Sequence, residues 1–310
     1  MAPPRAVIEA VQDRLGALAG EPAVLGGGIT NHNFRVLLAD GTEAVLRVAG
    51  RDTELLGIDR AAEHVATVAA AKLGIAPAVL AFLPEQSCLV TRFVHAAPIA
   101  NQALREAPAL PEVARALRAF HEHAPALPTR FDVPAIARAY LALAGERGDG
   151  GAGDVPQAAW DAAALAERIA GAVRGESEHA LVPCHDDLLG ANVLVEDGGR
   201  VWLVDWEYAG MGDRYFDLGN LSINNGFTED DDRALLSAYW AEDCTPRRFA
   251  ALRLMRVMSD VREALWGVAQ TALSDLDFDF PGYAERHFAR LRASTADPRF
   301  ESWLRDAATP

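Results

Sequence analysis

Apolar and polar positions alternate through residues 32–38 (HNFRVLL) and again through 43–49 (EAVLRVA), and the intervening ADGT carries Asp40-Gly41. A period of two on either side of an Asp-Gly pair predicts a β-hairpin. The next stretch, RAAEHVATVAAAKLG, is rich in alanine and ends at Gly74, a pattern that predicts a helix with a glycine stop. Two more strand-like runs follow, APAVLAFL and SCLVTRFV. Beyond about residue 95 the spacing becomes helical in LPEVARALRAFHEH, QAAWDAAALAERIAGAV and RRFAALRLMRVMSDVREALWGVAQTAL. Between the first two of these, GERGDGGAGDVP reads as a mobile surface loop. One segment, NVLVEDGGRVWLVDW, interrupts the helices with a hairpin that turns at Asp197-Gly198-Gly199. There is no internal repeat. The pattern predicts an α+β chain in two lobes with a cleft between them. Residues 1–94 form a small antiparallel sheet with one main helix, and residues 95–310 a larger, mostly helical lobe with an embedded hairpin.

Composition narrows the class. The 310 residues are 50% hydrophobic and 24% charged, ordinary for a soluble globular protein. A formal net charge of -15 disfavours nucleic acid and anionic membrane as partners and is compatible with a cationic small molecule. Cys88, Cys184 and Cys244 are odd in number and form no C-x-x-C pair, which predicts reduced thiols in the cytoplasm. The first residues, MAPPRAVIEAVQDRLGALAG, lack the apolar core of a signal peptide. No stretch approaches the roughly 20 apolar residues that span a bilayer.

The chemistry concentrates around the hairpin. His185, Asp187 and Asn192 fit H-x-D-x-x-x-x-N, and Asp205 closes the second strand. Protein kinases place a catalytic Asp and a metal-binding Asn at this interval, with a metal-binding Asp beyond the next strand. Phosphoryl transfer to a hydroxyl needs a proton acceptor, for which the interval selects Asp187. It also needs oxygen ligands for Mg²⁺, for which Asn192 and Asp205 are suited. His185 is expected to brace the loop, and Asp186 to face elsewhere. The competing reading is a polar hairpin whose acids simply meet water. In the first lobe, LGGGITNHNFRV offers Gly26, Gly27, Gly28, Thr30 and Asn31 as a phosphate cradle. Arg47 would contact phosphates with Glu63 as its ion-pair partner. A plain turn and a surface salt bridge are the alternatives here. No G-x-x-x-x-G-K-[ST] sequence is present.

With these residues assembled, the chain resembles the choline/ethanolamine kinase branch of the aminoglycoside-phosphotransferase-like kinases. The resemblance runs from about Gly26 to His287 and is carried by GGGITNHNF, VLRVAG, CHDDLLGANVL, LVDWEYAGMGDRYFDLGN and LWGVAQTALSDLDFDFPGYAERHF. It implies a protein-kinase-like fold with ATP between the lobes and adenine on the connector around Thr91, Phe93 and Val94. It implies Asp187 as base, Asn192 and Asp205 on Mg²⁺, and Asp217 and Asn220 bracing the loop. It places Tyr208, Trp266 and Tyr283 around a cationic alcohol, with Asp187 supplying negative charge. Glu263 stands where some relatives carry Trp, which leaves the aromatic cage less complete. The expected activity is ATP-dependent phosphorylation of choline, ethanolamine or a similar amino alcohol. An aminoglycoside acceptor and a silent nucleotide- or amine-binding module are the alternatives.

Overall fold

A computed structural model describes residues 2–26, 31–106, 108–147, 155–174, 177–274 and 276–308. It opens with helix α1 (Arg5–Leu15), followed by β1 (Ala23–Leu25), β2 (Asn31–Leu37), β3 (Glu43–Ala49), α2 (Arg60–Lys72), β4 (Val79–Leu83) and β5 (Cys88–Arg92). The strands make one antiparallel sheet in the order β1-β2-β3-β5-β4. The expected β2–β3 turn is present: Gly41 adopts φ +86°, and Asp40 accepts the Thr42 N–H at 2.8 Å. Alternation sorts β3 cleanly. Ala44, Leu46 and Val48 enter the core, and Arg47 lies on the opposite face. The sequence pattern assigned one main helix to this lobe; α1 is an addition, its Val7 and Val11 packing with Phe34, Leu46 and Val90.

Helix α2 begins at Asp59, whose carboxylate accepts the N–H groups of Ala61 and Ala62 at 2.8 and 3.0 Å. It stops where Gly74 turns to φ +77°. His64 stacks on Phe82 of β4 at 4.6 Å, while Ala66 and Ala70 join the core of the second lobe. This helix therefore ties the two lobes together and places Glu63 between them.

The larger lobe contains β6 (Ala97–Pro98), α3 (Asn101–Leu104), α4 (Ala109–His123), α5 (Val133–Arg147), α6 (Gln157–Val173), β7 (Leu181–Cys184), β8 (Val193–Val195), β9 (Val201–Leu203) and β10 (Gly210–Asp213). The helices α7 (Arg214–Asn224), α8 (Glu229–Trp240), α9 (Pro246–Leu273), α10 (Phe280–Thr295) and α11 (Phe300–Ala307) complete it. The expected hairpin is β8–β9, extended by β6. A second ladder, β7 with β10, flanks it and was not visible in the hydrophobic pattern. Of the loop expected at 145–156, residues 145–147 continue α5, and 148–154 lie outside the described residues. Helix α9 is buried along most of its length, with Asp260, Arg262 and Glu263 among its buried positions. Among the described residues, no helix is long and apolar enough to cross a membrane. The three cysteines are free thiols.

Candidate active site

The loop between β7 and β8 is held from behind by α7. Asp217 accepts the N–H groups of His185 and Asp186 at 2.8 and 2.7 Å. Asn220 accepts the Leu188 N–H at 2.5 Å, and Asn225 donates to the Leu188 carbonyl at 3.1 Å. His185 Nδ1 accepts the Asp187 N–H at 3.2 Å, which leaves Nε2 to donate to the Val204 carbonyl at 3.0 Å. Its ring packs on Trp206 at 4.4 Å, and burial lowers its basicity, so it stays neutral and braces the loop. Asn192 donates to the Asp187 carbonyl at 2.9 Å and reaches its carboxylate at 3.4 Å, leaving the amide oxygen for a ligand.

Asp186 adopts φ +66° and turns away from its neighbour. It is fully buried, with its carboxylate so close to Gly212 that a Cβ there would sit 3.1 Å from Oδ1. Burial pushes its carboxyl well above the usual range. Burial alone would also raise Asp217, but bonds from His121 and the loop backbone hold it below its ordinary value. His121, Cys184 and Asp217 lie close enough to hold a metal. Both His121 nitrogens are already taken, by Asp217 at 2.9 Å and Tyr239 at 2.7 Å, and burial keeps the Cys184 thiol protonated. That cluster is a brace.

A charge network joins the lobes at the mouth of the loop. Arg47 reaches Glu63 at 2.9 Å, Glu207 at 3.2 Å, and also Asp205. Arg60 bridges Glu63 at 2.7 Å and Glu207 at 3.2 Å, and donates to Asn31 at 3.0 Å. Asn31 in turn donates to Glu207 at 2.8 Å. Glu207 and Arg60 were not singled out from the sequence, although Glu207 lies two residues past Asp205, in the turn that follows β9. Gly27, Gly28 and Thr30 lie outside the described residues. Thr91 sits in β5 opposite Val45 and Val79. Phe93 follows the strand, its N–H on the Glu43 carbonyl at 2.9 Å and its ring under Arg35 at 4.3 Å.

Burial raises the Asp205 carboxyl to about 6, Arg47 opposing and Glu207 adding to the rise. Burial likewise raises Asp187, opposed by Arg262 and reinforced by Glu263, Asp205 and Glu207. An oxygen-only set of Asn192 and Asp205, the latter also reached by Arg47, suits a hard divalent cation such as Mg²⁺.

On the other side of Asp187, four expected residues come together from three elements. Trp266 donates to the Tyr208 hydroxyl at 3.2 Å and meets Tyr283 edge-on at 5.4 Å. The Tyr283 hydroxyl donates to Glu263 at 2.7 Å. A fifth residue completes the group: Arg262 donates to Glu263 at 2.7 Å, lies over the Tyr208 ring at 4.1 Å, and stands 3.9 Å from Asp187. Its position four residues before Trp266 puts both on one helix face, a signal the sequence contained. Burial would raise Glu263, but Arg262, His287 and the Tyr283 hydroxyl hold it below its usual value, hence ionised. A small cavity of about 90 Å³ touches this cluster at Tyr208 alone; its other walls include Leu56, Phe131, Tyr140 and Glu207.

Comparison with known proteins agrees with this fold. The model of the phosphotransferase enzyme family matches residues 22–255. The crystal structure of a choline/ethanolamine kinase family protein from Mesorhizobium loti superposes with a TM-score of 0.81 at 31% identity, covering 98% of this chain and 97% of that one. Choline kinase LicA from Streptococcus pneumoniae shares the fold, with a TM-score of 0.73 at 21% identity over 94% of this chain and 98% of its own. Ethanolamine kinase 2 of Mus musculus is 30% identical over 127 residues, 35% of this chain and 33% of the mouse protein. The match therefore spans about a third of that curated relative's length. With three-quarters of its length inside the family model and a relative aligned nearly end to end, the chain belongs to the phosphotransferase enzyme family, in its choline/ethanolamine kinase branch.

Proposed function

We propose that this protein transfers the terminal phosphoryl group of ATP to the hydroxyl of a small amino alcohol, of which choline and ethanolamine are the simplest. The observation that carries this reading is the placement of Asp187 between a charge network suited to phosphates and an aromatic, acid-containing cluster suited to an amine. Asp187 accepts the hydroxyl proton, and its buried setting strengthens it as a base. Asn192 and Asp205 would hold Mg²⁺, which when bound neutralises phosphate charge. Arg47, positioned by Glu63, contacts the phosphates, with Gly27, Gly28, Thr30 and Asn31 as the cradle. Thr91 and Phe93 belong to the connector that meets adenine, and the lobes divide between residues 94 and 95. Tyr208, Trp266, Tyr283 and Glu263 face the ammonium group.

ADP release from Mg·ATP, measured with choline, ethanolamine and kanamycin for wild type and Asp187→Asn, tests the reading. The amino alcohols should support turnover, and the variant should lose at least about 100-fold in kcat while keeping its melting temperature. Turnover of kanamycin alone would overturn the assignment of acceptor. An Asp187→Asn protein of full activity would overturn the assignment of base.

A further inference from the structure

We infer that Arg262 recognises a carboxylate on the acceptor, so that the alcohol phosphorylated is a small hydroxy amino acid. This inference rests on the proposed phosphoryl transfer and narrows its substrate class.

Arg262 is only 3% exposed, and a buried guanidinium is costly unless its donors are satisfied. One nitrogen, Nη1, is paired with Glu263. The other two, Nε and Nη2, are buried without a hydrogen-bond partner, and among the described residues no other arginine leaves two such atoms. These two nitrogens share one edge of the planar group and present parallel N–H bonds. That edge matches the two oxygens of a carboxylate.

The place matters as much as the shape. Nη1, the nitrogen paired with Glu263, lies 3.9 Å from Asp187, so the unpartnered edge is within the width of one guanidinium group of the proposed base. The guanidinium also covers the Tyr208 face at 4.1 Å, a surface a quaternary ammonium would otherwise use. A bare cation therefore meets a like charge here. Glu263 is ionised and keeps lone pairs beyond those used by Arg262 and Tyr283, so it can take an ammonium. Hydroxyl to Asp187, ammonium to Glu263 and carboxylate to Arg262 describe a compound the size of serine or homoserine. In the reaction the hydroxyl oxygen bonds to the terminal phosphorus of ATP, the bond to ADP breaks, and the hydroxyl proton passes to Asp187. Were Arg262 merely the counter-ion of Glu263, its remaining edge would have no bearing on acceptor choice.

The test compares L-serine, L-homoserine, ethanolamine and choline as acceptors for wild type, Arg262→Lys and Arg262→Met, with thermal stabilisation by each acceptor measured in parallel. The lysine variant keeps the charge beside Glu263 and guards against a methionine variant that fails to fold. Wild type should use a hydroxy amino acid at least about tenfold better than ethanolamine in kcat/KM, and both variants should lose about tenfold or more of that preference. A preference for ethanolamine or choline, or a ratio unchanged in Arg262→Lys, overturns the inference and leaves the amino-alcohol kinase standing. Stabilisation by homoserine that requires Arg262, without turnover of any acceptor, upholds the carboxylate site and removes the kinase reading. No stabilisation and no turnover with any of the four removes both.

Discussion

Asp217 touches none of the groups proposed to react, yet it holds the backbone that carries the base. Its two oxygens take the N–H groups of His185 and Asp186 and a bond from His121. Asp217→Asn should cost about 1.5–3 kcal/mol at neutral pH, the value of hydrogen bonds to a buried charge. The sign of its pH dependence follows from its lowered carboxyl. Because the folded value lies below 3.8, the stabilisation is complete above the unfolded value and is lost as pH falls through the folded one. The gap between wild type and variant should therefore be wide at pH 7 and should shrink as pH falls below 3.8, as read from urea midpoints. A gap of constant size would refute the assignment. At this scale the sequence was legible where spacing encodes chemistry, as in Asp187 and Asn192. It was less so for Arg262, since a charge on a helix ordinarily reads as a solvated face. Only tertiary packing buries it.

Among elements, α7 and α9 approach closely at Gly219. A Cβ on Gly219 would lie 2.6 Å from the Met255 carbonyl carbon and 2.7 Å from the Arg256 nitrogen, both backbone atoms that cannot rotate aside. Gly219→Ala should push the helices apart and destabilise the fold by about 3 kcal/mol, the upper range for overpacking. A lowered melting temperature with proportionate loss of activity would be the sign of it. Gly267→Ala should do less, because its Cβ would meet Ala284 less closely, 3.0 Å from the Cβ, 3.1 Å from the nitrogen and 3.2 Å from the Cα. The strands β2 to β5 and helices α2, α4, α6 and α9 were readable because each repeats one period over several turns or pleats. Strands β7 and β10 were not. LVPC and GMGD are four residues long, carry proline or glycine, and owe their pairing to a partner far along the chain. Helix α5 was also unassigned, its apolar residues being spread almost evenly around it.

Across the whole molecule, a formal charge of -15 sets a general self-repulsion. Raising salt from about 0.01 M to about 0.3 M should therefore raise the melting temperature by a few degrees. A fall would mean that the Arg47 and Arg60 ion pairs outweigh that repulsion. The two-lobed design was legible from the change of period near residue 95. The network that joins the lobes was not, because Glu207 and Arg60 meet only through folding.

The elements proposed to handle phosphate and proton, β3, α2 and the β7–β8 loop, are separate from α9, which supplies Arg262, Glu263 and Trp266 from a single turn and a half of helix. Three side chains there can be exchanged without moving the backbone of the base. Such an arrangement lets descendants change what is phosphorylated while inheriting unchanged the means of phosphorylating it.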